Sequence, residues 1–146
     1  MLTTTNDRQV PIWATVGRCR RSPSALATLS ADVGLPLPNE NYLTTADGTR
    51  LRYACWRASR GNRQGAVLYL NGRTDFIEKT MQAYAILHRN GFDVWTFDWR
   101  GQGFSSRTLA DPEKGHVTDY RLYLDDLHQF VTEVTDLSKA GDRRII

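Results

Sequence analysis

Phe92-Asp93-Val94-Trp95-Thr96-Phe97-Asp98-Trp99-Arg100-Gly101-Gln102-Gly103-Phe104-Ser105 decides the fold of this chain. It is a short apolar run that breaks into a polar loop containing two glycines, as a buried strand does where it leaves a sheet. Upstream, Gly65-Ala66-Val67-Leu68-Tyr69-Leu70-Asn71-Gly72-Arg73 has the same form. Between the two, Ile77, Met81, Tyr84, Ala85 and His88 fall at helical spacing, and Asn90-Gly91 is a pair suited to a left-handed helix stop. The whole reads as a β-loop-α-β unit with parallel strands. In open α/β sheets ligands bind at the loops on the carboxyl ends of strands. Asn71 to Thr74 and Asp98 to Ser106 are therefore expected to share one site edge.

Working outward, Asn41-Tyr42-Leu43-Thr44-Thr45 and Arg50-Leu51-Arg52-Tyr53-Ala54-Cys55-Trp56 read as two strands of a hairpin turned by Asp47-Gly48. Alternation puts Leu51, Tyr53 and Cys55 on one face. Ala66 to Leu70 is almost wholly apolar, the pattern of a strand covered on both sides and central to a sheet. Residues 1–38, broken by Pro11, Pro23, Pro36 and Pro38, read as an irregular leader with one short helix over Ser24 to Val33. After a polar loop from Arg107 to Gly115, an apolar stripe runs through Tyr120, Tyr123, Leu124, Leu127, Phe130, Val131, Val134 and Leu137. It predicts a helix of about five turns. Gly141 stops it, and Arg143-Arg144-Ile145-Ile146 reads as the beginning of another buried strand. The expected organisation is a leader over 1–38 and one α/β unit over 39–146.

The 146 residues suit one domain, and 40% hydrophobic against 24% charged residues is the composition of a globular protein. Nineteen basic against sixteen acidic residues is a mild excess, concentrated in Arg18, Arg20, Arg21, Arg50, Arg52, Arg57 and Arg60. These read as solvated arginines around the leader and an edge hairpin, with peripheral contact to an anionic membrane surface or a phosphate-bearing substrate as the alternative. No basic run is interleaved with stacking aromatics, so nucleic acid is not an expected partner. Cys19 and Cys55 show neither ligand spacing nor a disulfide framework. With no basic n-region followed by an apolar core, a cytoplasmic location is expected.

Asp98-Trp99-Arg100-Gly101-Gln102-Gly103-Phe104-Ser105 and Asn71-Gly72-Arg73 resemble the two amino-terminal signatures of α/β-hydrolases of the lysophospholipase and monoacylglycerol-lipase type: Asp-x-Arg-Gly-x-Gly-x-Ser after strand four and His-Gly-x after strand three. The first matches at every fixed position. The second departs, with Asn71 in place of His, and Gly72-Arg73 followed by Glu78-Lys79 resembles the variant of bacterial lysophospholipases. The resemblance spans about Tyr42 to Ile146. It implies the amino-terminal half of an α/β-hydrolase fold, an antiparallel hairpin leading into a parallel sheet with flanking helices. It also implies a fourth strand lying between the second and third. The Arg73 backbone N–H is the matching oxyanion donor, and Gly72 lets the chain turn close to a bound carbonyl. Asp98 is expected to hold loop amides and Arg100 to pair with a carboxylate, both structural.

Gly101-x-Gly103-x-x-Ser106 also fits loosely to a dinucleotide loop. Ser at the third position, the charged Asp98-Trp99-Arg100 and the lack of a following acidic strand end argue against it, so no cofactor is expected. None of the seven serines lies in Gly-x-Ser-x-Gly, and Ser105 follows the wrong strand for a nucleophile elbow. His88, His116 and His128 all read as structural rather than as general bases, and their spacing supports no metal site. No catalytic residue is therefore expected within the chain, which reads as a truncated, inactive piece of an ester hydrolase for lysolipids or related small esters. The alternatives are a non-catalytic binding or self-associating module and an aminopeptidase- or thioesterase-like relative. With a fifth strand barely begun, Ala66 to Leu70 would form an exposed, association-prone edge.

Overall fold

The computed structural model describes residues 25–111 and 114–135. Its elements in chain order are α1 (Ala25–Asp32), β1 (Asn39–Thr44), β2 (Arg50–Trp56), β3 (Gly65–Leu70), α2 (Met81–Arg89), β4 (Phe92–Phe97) and α3 (Arg121–Gln129). The strands form one sheet in the order β1-β2-β4-β3. β1 and β2 pair antiparallel, β2 and β4 antiparallel, and β3 and β4 parallel with Val67 opposite Val94. The fourth strand thus lies between the second and third, and the carboxyl ends of β3 and β4 point to the same edge.

Strand alternation feeds two cores, one on each face of the sheet. On one face Ala54, Trp56 and Val94 meet Leu26 of α1 and Ile77, Met81, Tyr84 and Ala85 of the crossover. Trp56 stacks on Tyr84 at 5.2 Å, and its indole N–H donates to Ser30 Oγ at 3.2 Å. On the other face Leu51, Cys55, Trp95 and Phe97 pack with Phe130, and Tyr53 lies against them. The crossover helix stops at Gly91, whose φ of 85° suits glycine and whose missing Cβ would strike the Asn62 carbonyl oxygen. Gly48, with φ 83°, turns the β1–β2 hairpin.

Three expectations change and a fourth resolves. Among the described residues β3 is an edge strand, as the barely begun fifth strand implied, although its apolar run alone suggested a central one. Its apolar run is nonetheless used on both faces, with Ala66 and Val67 buried, Leu68 and Tyr69 half-buried and Leu70 exposed. The stretch 25–38 supplies Leu26 and Leu35 to the core, because α1 covers Trp56. The stripe on α3 is only partly buried. Phe130 is fully buried in a single π-helical turn (Phe130–Val134), whereas Tyr120, just before α3, and Leu124, in its first half, face solvent. Leu137 and the expected strand at Arg143 to Ile146 lie outside the described residues, as do Cys19 and the first arginines. Finally, Arg52 is not a solvated surface arginine: it is 2% exposed.

Candidate functional site

β3 ends at Leu70, and the next residue anchors the loop that follows. Asn71 is buried, with its amide nitrogen 3.3 Å from both Thr96 Oγ1 and the Phe97 carbonyl. Its side-chain oxygen accepts from the Thr80 and Tyr84 hydroxyls, each at 3.1 Å. Burial, only partly offset by those hydroxyl and amide partners, pushes the Tyr84 phenol up to about 12. Asn71 therefore ties the loop to β4 and α2. Thr74 then takes φ 69°, a left-handed conformation that β-branched residues avoid. Its N–H donates to Gln102 Oε1 at 2.6 Å and its carbonyl accepts from Lys79 Nζ at 2.9 Å. Strain held by such contacts concentrates at functional sites. Arg73, between Gly72 and this strained residue, has an N–H with no partner among the described residues.

After β4, Asp98 turns inward and is completely buried. Its carboxylate accepts from the Ile77 N–H at 2.9 Å, the Phe104 N–H at 3.0 Å and Arg52 Nη1 at 3.3 Å. Removal from water raises its pKa to about 6 despite these donors. The Arg52 cation is of limited help to it because Glu40, at 2.7 Å, and Glu78, at 2.6 Å, share the same guanidinium. Burial opposes the charge on Arg52, yet the hydrogen bond to Glu78 and the charges of Glu78, Asp98 and Glu40 together hold it above its ordinary range. Glu78 keeps its second oxygen, Oε2, buried and without a hydrogen bond.

The remaining signature residues build the rest of the turn. Gly101 and Gly103 have φ of 77° and 46°, and a Cβ on Gly103 would fall on the Asp98 carboxylate. Ser105 Oγ donates to the Asp98 carbonyl at 2.6 Å and accepts from the Arg52 N–H at 2.9 Å, stitching the turn to β2. Its hydroxyl is committed to backbone. Arg100 binds Asp126 of α3 through two bonds of 2.7 and 2.6 Å and reaches Asp47 of the hairpin turn at 2.8 Å. Those bonds, led by Asp126, raise the Arg100 pKa, and Arg100 in turn holds the Asp47 carboxyl well below the usual carboxylate range. Arg107 donates to the Gly101 and Gly103 carbonyls.

The two loops are laced together by Ile77 N–H to Asp98, Thr74 N–H to Gln102 and the Trp99 indole N–H to the Asn71 carbonyl at 2.8 Å. Between them opens a groove of about 370 Å³ walled by Arg73, Trp99, Gln102, His116, Val117 and Tyr123. Of these walls the sequence marks Arg73 as a site residue, whereas His116 reads there as structural and Tyr123 as part of an apolar stripe. Trp99 and Gln102 occupy the variable positions of the signature, and His116 arrives from an irregular loop that carries no periodic signal. His88 bonds the Arg57 carbonyl at 3.1 Å and His128 is exposed on α3, both away from the groove. No cluster of metal-ligating side chains occurs among the described residues.

A hairpin feeding a parallel pair, with a glycine-bearing loop after β3 and a caged aspartate after β4, defines the amino-terminal portion of an α/β-hydrolase. A family model described as serine aminopeptidase, S33, matches residues 61–146, over half of the chain, and the chain belongs to that family. It is 39% identical over 93 residues to lysophospholipase L2 of Escherichia coli K12, covering 63% of this chain and 26% of that protein. It is 37% identical over 80 residues to a probable lysophospholipase L2 of Haemophilus influenzae, covering 55% and 25%. Among solved structures, a soluble variant of monoglyceride lipase from Saccharomyces cerevisiae in complex with a substrate analog superimposes with a TM-score of 0.61 at 29% identity. That match covers 78% of this chain and 35% of the other. The chain thus spans about a quarter of the length of the curated relatives it matches.

Proposed function

We propose that these residues form the oxyanion-stabilising half of a cytoplasmic carboxylic-ester hydrolase acting on single-chain lipids, lysophospholipid or monoacylglycerol. The observation that carries this reading is the Arg73 N–H, without a partner among the described residues, on a loop strained at Thr74 beside a groove. An ester carbonyl seated there would receive that N–H as a serine oxygen adds to its carbon and charge moves to the carbonyl oxygen. Collapse of the adduct expels the glycerol oxygen as an alcohol, and water then releases the fatty acid from the acyl-serine. The nucleophile, its histidine and the acid are not among residues 1–146 in this reading, because the chain contains no Gly-x-Ser-x-Gly and Ser105 is locked to backbone. The names of the relatives favour lipid esters, and that of the family favours a peptide amide as the second reading.

Three measurements test it. Purified residues 1–146 should not turn over a p-nitrophenyl ester; turnover abolished by Ser105→Ala would overturn the assignment. The reading frame beyond codon 146 should encode Gly-x-Ser-x-Gly within about ten codons. Its product should cleave a lysophospholipid or a monoacylglycerol in preference to an amino-acid p-nitroanilide, whereas the reverse preference selects the peptidase reading.

A further inference from the structure

We infer that the Arg73 side chain, and not only its amide, belongs to the site: its guanidinium receives the phosphate of a single-chain glycerophospholipid whose ester carbonyl lies at the Arg73 N–H. This rests on the hydrolase reading and narrows it from single-chain lipid esters to the phosphate-bearing ones.

The first support is an accounting of charge around the two loops. Arg52 is shared by Glu40, Glu78 and Asp98, Arg100 is held by Asp126 and Asp47, and Arg107 caps the carbonyls of Gly101 and Gly103. Arg73 alone of the arginines on these two loops is exposed and, among the described residues, has neither an ion pair nor a hydrogen bond from its side chain. The nearby acids are committed elsewhere: Asp75 pairs with Lys79 at 3.2 Å, and Asp98 is interior. The groove wall accordingly contains no carboxylate among the described residues, and its one permanent charge is Arg73. The residues lining the groove thus offer an anion one cation and no carboxylate, and the Asp75 carboxylate next to Gly72 is shared with Lys79.

The second support is spacing. In a lysophospholipid the ester and the phosphate are separated by the glycerol carbons, and in Arg73 the amide and the guanidinium are separated by a stem of similar length. One residue can therefore address both groups of one ligand. The loop is suited to holding that register, since Thr74 is pinned by Gln102 at 2.6 Å and Asn71 by β4 and α2. Trp99 and Tyr123, in edge-to-face contact at 5.4 Å, supply an apolar wall for the glycerol and the first acyl methylenes. The planar fork of arginine matches phosphate oxygens two at a time, an interaction a neutral monoacylglycerol cannot make.

The test compares binding to the intact 146-residue chain of two non-hydrolysable short ethers, hexylglycerol phosphate and hexylglycerol, with inorganic phosphate as a third ligand. Quenching of tryptophan fluorescence reports occupancy, Trp99 being in the wall. The phosphate ether should bind roughly ten-fold more tightly than the neutral ether, the size of one charge-assisted contact at a partly exposed site. Arg73→Gln should reduce that ratio to about one, Arg73→Lys should keep part of it, and Arg60→Gln, which lies before the amino end of β3 and so at the opposite edge of the sheet, should leave it unchanged. Equal binding of the two ethers by the parent chain, or an unchanged ratio in Arg73→Gln, overturns the role of the side chain while leaving the hydrolase reading intact. Binding of inorganic phosphate as tight as that of the phosphate ether also overturns it, by identifying a plain anion site. Failure of both ethers to bind overturns this inference and counts against the hydrolase reading as well.

Discussion

Gly103→Ala should be among the most damaging single-methyl changes at the described residues. At φ 46° the new Cβ would occupy the space of the Asp98 carboxylate. Asp98 cannot retreat, because it is completely buried and held by the N–H groups of Ile77 and Phe104 and by Arg52. Displacing it forfeits at least two hydrogen bonds to a charged group, each worth about 1.5–3 kcal/mol. The left-handed backbone adds about 1–2 kcal/mol of strain for an L-residue. The sum is on the order of 4 kcal/mol or more, comparable with the whole stability of a small domain. Two other glycines separate the contributions. Gly61 has open space and ordinary φ, so Gly61→Ala should be nearly neutral; Gly48 has open space but φ 83°, so Gly48→Ala should cost only the strain, about 1 kcal/mol. Urea unfolding followed by far-ultraviolet circular dichroism measures all three. A Gly103→Ala midpoint no lower than that of Gly48→Ala would refute the claim that Asp98 is rigidly caged.

Asp98 also sets a pH dependence. Its folded pKa of about 6 lies above the ordinary 3.8, so between those values the folded chain keeps a proton that the unfolded chain has shed. Its contribution to stability therefore falls as pH rises through that window, by up to about 3 kcal/mol, and Asp98→Asn should flatten the slope of urea midpoint against pH; an identical slope in the variant would argue against it. Arg52→Met should cost about 3–5 kcal/mol at pH 7 by stranding three carboxylates, and less near pH 5, as read by thermal melts; a uniform loss across that range would mean the carboxylates are not the cause. Thr74→Gly should relieve the left-handed strain and stabilise the chain by up to about 1 kcal/mol, whereas destabilisation would show that the loop relies on the threonine itself. The half-exposed edge of β3 should drive association, so Leu70→Lys should shift sedimentation toward monomer, and an unchanged distribution would remove β3 as the contact.

The parts of this architecture legible in the residue order are those set by local chemistry. Strand periodicity, the Asp47-Gly48 turn, the Asn90-Gly91 stop and the paired loops after two apolar runs each depend on residues within a few positions of one another. They suffice for a parallel β3–β4 pair with its loops on one edge. Burial of α1 was not legible, because Leu26 is an ordinary leucine until Trp56 is placed beneath it. The exposure of Leu124 was equally hidden, since helical spacing defines a stripe without saying how far along it the core extends.

The same division runs through the site. Residue order alone implies that Gly72-Arg73 and the turn from Asp98 to Ser105 meet, because two parallel strands joined by one helix present their following loops at one end. The role of each side chain in those loops depends on the folded chain. Folding set Arg52 against a carboxylate 46 positions away, gave the Thr74 amide to Gln102 at a separation of 28, and left Arg73 without a side-chain partner among the described residues, in the wall of a groove. Charge, unlike periodicity, acts through space rather than along the chain, so which arginine is consumed by the interior and which remains to meet a ligand is settled by folding.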